Sequence, residues 1–488
     1  MKSKIGIFIA LGLCVSMQSK AFCGFYVAKA DTKIYNQASQ VILVRDGNQT
    51  VLTMSNDFKG DVKDFAMVVP VPTVLQKSDI KVVERGVFDK LDAYSAPRLV
   101  EYYDNDPCNR MRYAEKMAAP MASAGAANRS EDEYKAKKDY GVTIEAKYTV
   151  GEYDIIILGA EQSNGLQRWL TDNGYKIPAN AEEVLNPYIK NNLKFFVVKV
   201  NIDKLKGGDF QTLRPIQIKF TAARFGLPIR LGMANSNGDQ DLIIYAFTRK
   251  GRVECTNYRT MKMNSGLKVP EFIQEDFAPF YADAFKKAWR REGQEAIFLE
   301  YAWDVSSSNY VKCDPCVSNP PDYKDLEDAG VWWVNSGNNQ SYYGSADFNG
   351  NVFFTRLHVR YNRAHYAQDL AFQVTPNNEQ YQVRYVITHP AYGSFTCPEG
   401  RRYIREVASR REEELQNMNR LAGWSIFQHE NYLEDWNRRT DNPDNRIKRG
   451  SIGDLGDITD TDSKGGMLIV GFLLLQGIAL YFTLRRKR

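Results

Sequence analysis

Histidine is scarce in this chain, and what is missing around it narrows the chemistry. Only His358, His365, His389 and His429 occur in 488 residues. No two stand four apart, so the helical histidine pair of zinc-dependent proteases is absent. The Gly-x-Ser-x-Gly turn of serine hydrolases and the glycine-rich loops that cradle phosphates are absent too. No segment repeats at a fixed period, which excludes solenoids and propellers. The body also lacks a surplus of either charge. The whole chain is +5, but Lys2, Lys4 and Lys20 supply three surplus cations and the last four residues supply four, leaving −2 between them. A nearly neutral body excludes nucleic acid as its natural partner.

Long apolar runs are confined to the two ends. Residues 1–21 have a basic start, an apolar stretch over 5–15 and a polar close, with Ser19 and Ala21 at the small-residue positions before a cleavage point. This is the layout of a secretory signal peptide, with the mature chain starting at Phe22. At the other end, residues 467–484 carry no charge and lead into Arg485, Arg486, Lys487 and Arg488. Eighteen helical residues reach roughly 27 Å, enough for a transmembrane helix with snorkelling ends. The basic tail 485–488 is expected on the cytoplasmic side. Gly465 and Gly466 stand where bacterial sorting signals carry their small residues, so processing there is the alternative to a retained anchor. Residues 440–466 are polar and read as a disordered tether of roughly 30 Å reach. The expected location is the bacterial cytoplasmic membrane, single-pass, with the body outside the cytoplasm.

Removal of the signal takes away Cys14 and leaves Cys23, Cys108, Cys255, Cys313, Cys316 and Cys397 as disulfide candidates. Between the ends, alternating apolar residues and turn signals predict an α+β, strand-rich body of two to three subdomains. Their expected bounds are 22–115 (β-rich), 141–262 (mixed) and 263–439 (α+β), with a flexible Ala/Met/Ser loop over 116–140. Asp46-Gly47 marks a hairpin, and Pro70 is expected to stop a strand over 65–69. Helical spacing predicts a short helix around Leu166, Trp169 and Leu170, a piece after Asn180 interrupted by Pro187, a helix over 280–292, and a long amphipathic helix over 401–422. A further helical stretch is expected over 426–438.

Five phrases belong together: CGF at 23–25, FAMVVPVP at 65–72, GLQRWLTDNGY at 165–175, EYAWD at 300–304 leading to CDPC at 313–316, and TRLHVRY at 355–361. Together they resemble the bacterial exported family catalogued as domain of unknown function 2330, over about residues 22–425. The resemblance implies an exported bacterial protein, often with a C-terminal anchor or sorting tail, and it carries no activity and no catalytic residues.

Each candidate for chemistry meets a plainer reading. The Cys313/Cys316 spacing suits a redox dithiol or half a zinc site, but Pro320 and Pro321 forbid the long helix that would activate a thiol, which favours a structural disulfide. Glu300 and Asp304 are expected on one face of a strand, their backbones about 13 Å apart, too far for a glycosidase pair, and read as surface carboxylates. His358 shares a strand face with Arg356 and Arg360 and reads as part of a solvated cationic face. The loop 335–344 pairs amides with Tyr342 and Tyr343, a composition suited to stacking on a sugar or a protein partner. The sequence calls for no cofactor and no metal. The expected function is a membrane-anchored cell-envelope protein with a non-enzymatic binding or interaction role. Its partners would be the membrane, through the C-terminal helix, and an envelope protein or glycan. The alternative is an envelope enzyme, either a hydrolase with dispersed acids or a thiol-disulfide oxidoreductase using Cys313 and Cys316.

Overall fold

The computed structural model describes residues 25–28, 39–55, 65–108, 142–173, 181–201, 213–235, 238–337, 347–393 and 395–439. The chain divides into two compact units. One holds 1–103, 113–389 and 414–425, and the other 104–112, 390–413 and 426–488.

The larger unit is built on a nine-stranded sheet. Its strand order is Thr260–Lys262, Ile297–Asp304, Phe353–Tyr361, Gln240–Thr248, Ser39–Asp46, Gln49–Ser55, Ile216–Thr221 and Ile80–Val82, with Tyr381–Gln382 pairing off that path. A second, five-stranded sheet runs Phe25–Ala28, Phe65–Val71, Lys194–Val200, Tyr153–Ala160 and Val142–Val150. The period-two pattern of these strands decides the layering. One face of each sheet (Leu43, Ile244 and Leu357 from the first, Met67, Ile155 and Val198 from the second) joins a single shared core. The outer face of the small sheet is covered by helices Ser163–Asp172 and Ala181–Lys190 through Leu166, Leu170 and Leu185. On the outer face of the large sheet, Phe88 and Leu91 of helix Gly86–Ser95 and Leu326 of helix Tyr323–Ala329 pack on Val44, Tyr245 and Phe354. The result is two stacked sheets between helical layers.

The three sequential subdomains expected from the sequence are not the units of the fold. The large sheet takes strands from all three expected pieces, because its partners are chosen by face complementarity rather than by proximity in the chain. Pro70 does not end its strand: Phe65–Val71 continues, with Pro70 opposite Phe195. Helix Ala181–Lys190 likewise runs through Pro187. The hairpin does turn at Gly47, whose φ of 54° suits glycine.

In the smaller unit, Ile404, Val407 and Trp436 form the apolar core. Asp104 accepts from Tyr403 Oη and Arg410 Nη2, both at 2.7 Å, and Arg411 lies 4.1 Å above the Tyr432 ring. Cys108 is bonded to Cys397 across 289 residues of chain. The helix Pro398–Ala422 starts on proline, which loses nothing at a first helical position.

Among the described residues no helix is long and apolar enough to cross a membrane. The expected span 467–484, the cleavage point at Ala21 and Phe22, Cys23, Gly465, Gly466, Tyr342 and Tyr343 all lie outside the described residues.

Candidate functional site

The strand Phe353–Tyr361 sits in the middle of the large sheet and sends Leu357, Val359 and Tyr361 into the shared core. Its opposite face therefore carries Arg356, His358 and Arg360 at two-residue spacing. Three cations on a buried face require anions, and the neighbouring elements supply them. Arg360 stands directly across from Asp241 and grips it with Nε to Oδ1 and Nη2 to Oδ2, both at 2.8 Å. His358 Nε2 lies 3.2 Å from Asp241 Oδ1, and its Nδ1 lies 2.8 Å from Glu300 Oε1. Arg356 donates from Nε to Glu300 Oε2 at 2.6 Å and from Nη1 to Asp92 Oδ1 at 2.7 Å. The order is thus Asp92, Arg356, Glu300, His358, Asp241, Arg360, with the charge alternating at every step. Tyr245 donates to Asp92 and Tyr281 to Glu300, at 2.8 Å and 2.5 Å. Phe285, on the helix Phe277–Arg291, stacks on the His358 ring at 3.7 Å.

Burial would raise Glu300, which is 1% exposed, but His358 and Arg356 together with their hydrogen bonds hold its carboxyl at about 2. Asp241 is held well below the usual carboxylate range against its own burial by His358 and Arg360. Burial works against the imidazolium of His358, yet Glu300 and Asp241 raise its pKa overall. With a carboxylate at each ring nitrogen, the imidazolium form of His358 can donate twice, and in that form it has no free lone pair.

This geometry gives a pH dependence with a definite sign. The folded pKa of His358 lies above its free value near 6.5, so its contribution is complete below about pH 6.5 and is lost as the pH rises through the folded value. Glu300 works in the other direction: its contribution is present above about pH 4.5 and is lost as the pH falls towards about 2. Urea unfolding from pH 2 to 9 is expected to show greatest stability between about pH 4.5 and 6.5. His358→Gln should flatten the alkaline limb, and an unchanged limb would refute its assignment to this residue.

The structure corrects four sequence expectations here. Glu300 is not a surface carboxylate but buried, and His358 is not on a solvated face but half-buried between two carboxylates of the charge chain. Glu300 and Asp304 do not share a strand face. The register slips between Leu299 and Tyr301, a bulge at Glu300 that turns every later side chain over, so Asp304 pairs with Phe353 of the shared core. Cys313, a buried residue, is bonded to Cys316, an exposed one. Cys255, read as a disulfide candidate, is a buried free thiol held 3.2 Å from Asn257 Oδ1, and burial pushes its pKa up. His389 lies 3.0 Å from Glu101 and stacks on Tyr103. Sequence reasoning passed over Asp92, Asp241, Tyr245 and Tyr281. The signal for them was the demand itself, three cations at alternate positions of a strand whose other face is apolar.

Fold and site define a class by architecture: a strand-rich α+β protein with two stacked sheets between helices and a buried chain of alternating charges. Within that class, the chain belongs to the family of uncharacterised proteins conserved in bacteria designated DUF2330, whose family model matches residues 17–373. The match includes every member of the charge chain and ends before Cys397 and the long helix. No curated protein and no solved structure matches the chain.

Proposed function

We propose that this is an exported bacterial envelope protein, held to the cytoplasmic membrane by residues 467–484 on the tether 440–466, whose body binds a partner and does not turn it over. The observation that carries the binding reading is the charge chain: its buried acid and its histidine are committed to each other and to two arginines. Such a chain fixes a sheet and its covering helix, as a rigid binding surface requires. Two disulfides support an oxidising compartment, and the −2 body supports an envelope protein or glycan over nucleic acid as partner.

Location is tested by alkaline extraction of membranes. The full chain should stay in the pellet, and a chain ending at 466 should be released on the outer side. Binding is tested by incubating the released body with isolated cell walls of the producing bacterium. Saturable retention with wall polymer of unchanged size is expected; shortened polymer would make the body a hydrolase.

One observation favours a second reading. Cys316 is an exposed residue of the short Cys313–Cys316 loop, a position that an incoming thiolate of a thiol-disulfide exchange needs to reach. A mixed disulfide trapped by Cys313→Ser on an envelope protein would support it.

A further inference from the structure

A cleft of about 340 Å³ opens at one end of the large sheet. There the strands Gln240–Thr248 and Ile297–Asp304 finish on either side of the start of Phe353–Tyr361. Arg249, Lys250, Asp304, Ser308, Asn351 and Asn378 line it. It has no part in the charge chain, whose central strand residues begin at Arg356.

The side chains around this cleft are unspent. Arg249 uses Nε on Asp46 at 2.6 Å and lies 4.9 Å over the Trp333 ring, so its plane is fixed. Among the described residues its two terminal nitrogens have no protein partner, and neither has the ammonium of Lys250. Asp304 takes the Ser306 backbone N–H at 2.9 Å and its hydroxyl on Oδ1, leaving Oδ2 open. The Ser308 hydroxyl and the side-chain amides of Asn351 and Asn378 also have no partner among the described residues.

Two cations on one wall suit a carboxylate, and the pre-set guanidinium suits it best. The open acid oxygen, two amides and a hydroxyl suit a ring of hydroxyl groups. The volume lies at the small end of ligand sites, which run from about 300 to 1,000 Å³. We infer that this cleft binds a hydroxylated carboxylate of monosaccharide size, a uronic acid, either free or as the end residue of an envelope polymer. The inference rests on the binding reading above and names the ligand class. A neutral sugar would leave the Arg249 and Lys250 wall unanswered, and a compact dianion such as phosphate would meet Asp304 without using the amides.

The test is a saturation-transfer NMR titration of the full chain in detergent micelles with sodium D-glucuronate, with D-glucose and inorganic phosphate as comparisons. Glucuronate is expected to saturate, with glucose at least about tenfold weaker and phosphate at equal concentration failing to displace it. Lys250→Ala, at an exposed position that folding does not use, should weaken glucuronate about tenfold through loss of one charge-assisted bond. No saturation at tens of millimolar, equal binding of glucose, displacement by phosphate, or an unchanged Lys250→Ala protein would each overturn the inference. Cell-wall retention without glucuronate binding would sink the cleft and leave the broader reading standing. Absence of retention would sink the broader reading, while the titration would still judge the cleft.

Discussion

Glu300→Ala is expected to destabilise the larger unit by about 3–5 kcal/mol, the cost of stranding a buried charge by removing its partner. The carboxylate is 1% exposed and receives Arg356, His358 and Tyr281 at once. Its loss leaves Arg356, which is 5% exposed, with Asp92 as its one carboxylate beside the Ser95 hydroxyl, and His358 with Asp241. Neither cation can turn to water, since Arg356 lies over the Tyr245 ring and His358 beneath Phe285. His358 can relieve the strain by losing its proton, so the deficit should shrink as the pH rises from 5 to 8. Chemical unfolding with a fluorescence or circular dichroism readout measures both the loss and its pH trend. Glu327→Ala, which breaks an exposed pair with Lys324 of 54% and 58% side-chain exposure, is the comparison and should cost no more than about 0.5 kcal/mol. Equal losses from the two substitutions would show that the charge chain contributes no more than a surface pair.

Local periodicity carried much of the fold and little of the site. Turn and apolar signals located the hairpin at Gly47 and most of the strand Phe65–Val71, and helical spacing located Phe277–Arg291 and Pro398–Ala422. These are properties of ten or so neighbouring residues. The charge chain is not. Arg356 meets Asp92 across 264 residues and Arg360 meets Asp241 across 119, distances over which pattern says nothing about who pairs with whom. The Arg356, His358 and Arg360 stripe was visible, but without its acids the solvated-face reading was the natural one. The bulge at Glu300 was invisible for a different reason. A single inserted residue leaves composition unchanged while reversing the parity of Tyr301 to Asp304, and this is why Glu300 and Asp304 were assigned one face. The pairing of Cys108 with Cys397 was equally closed to sequence, since six cysteines allow many connectivities.

Cys397→Ser is expected to have the other large effect, because of the length of the loop that bond closes. In the chain-entropy account a crosslink stabilises by restricting the unfolded chain, roughly as the logarithm of the enclosed length. For a separation of 289 residues this gives a ceiling of about 6 kcal/mol, against about 2 kcal/mol for the three-residue separation of Cys313 and Cys316. The described part of the smaller unit has little with which to offset such a loss. Among its described residues the buried cluster is Ile404, Val407 and Trp436, with Phe395, Tyr403 and Ala408 against it, and the polar ties include Asp104 under Tyr403 and Arg410. A described core of so few residues leaves a crosslink a large share of the stabilisation. Hydrogen exchange should therefore show residues 395–413 and 431–439 losing protection in Cys397→Ser, with the strand Phe353–Tyr361 unchanged. Cys316→Ser should leave both regions protected. Should Cys397→Ser keep its protection, the smaller unit would have to be held by packing alone, and the logarithmic account would fail for this bond.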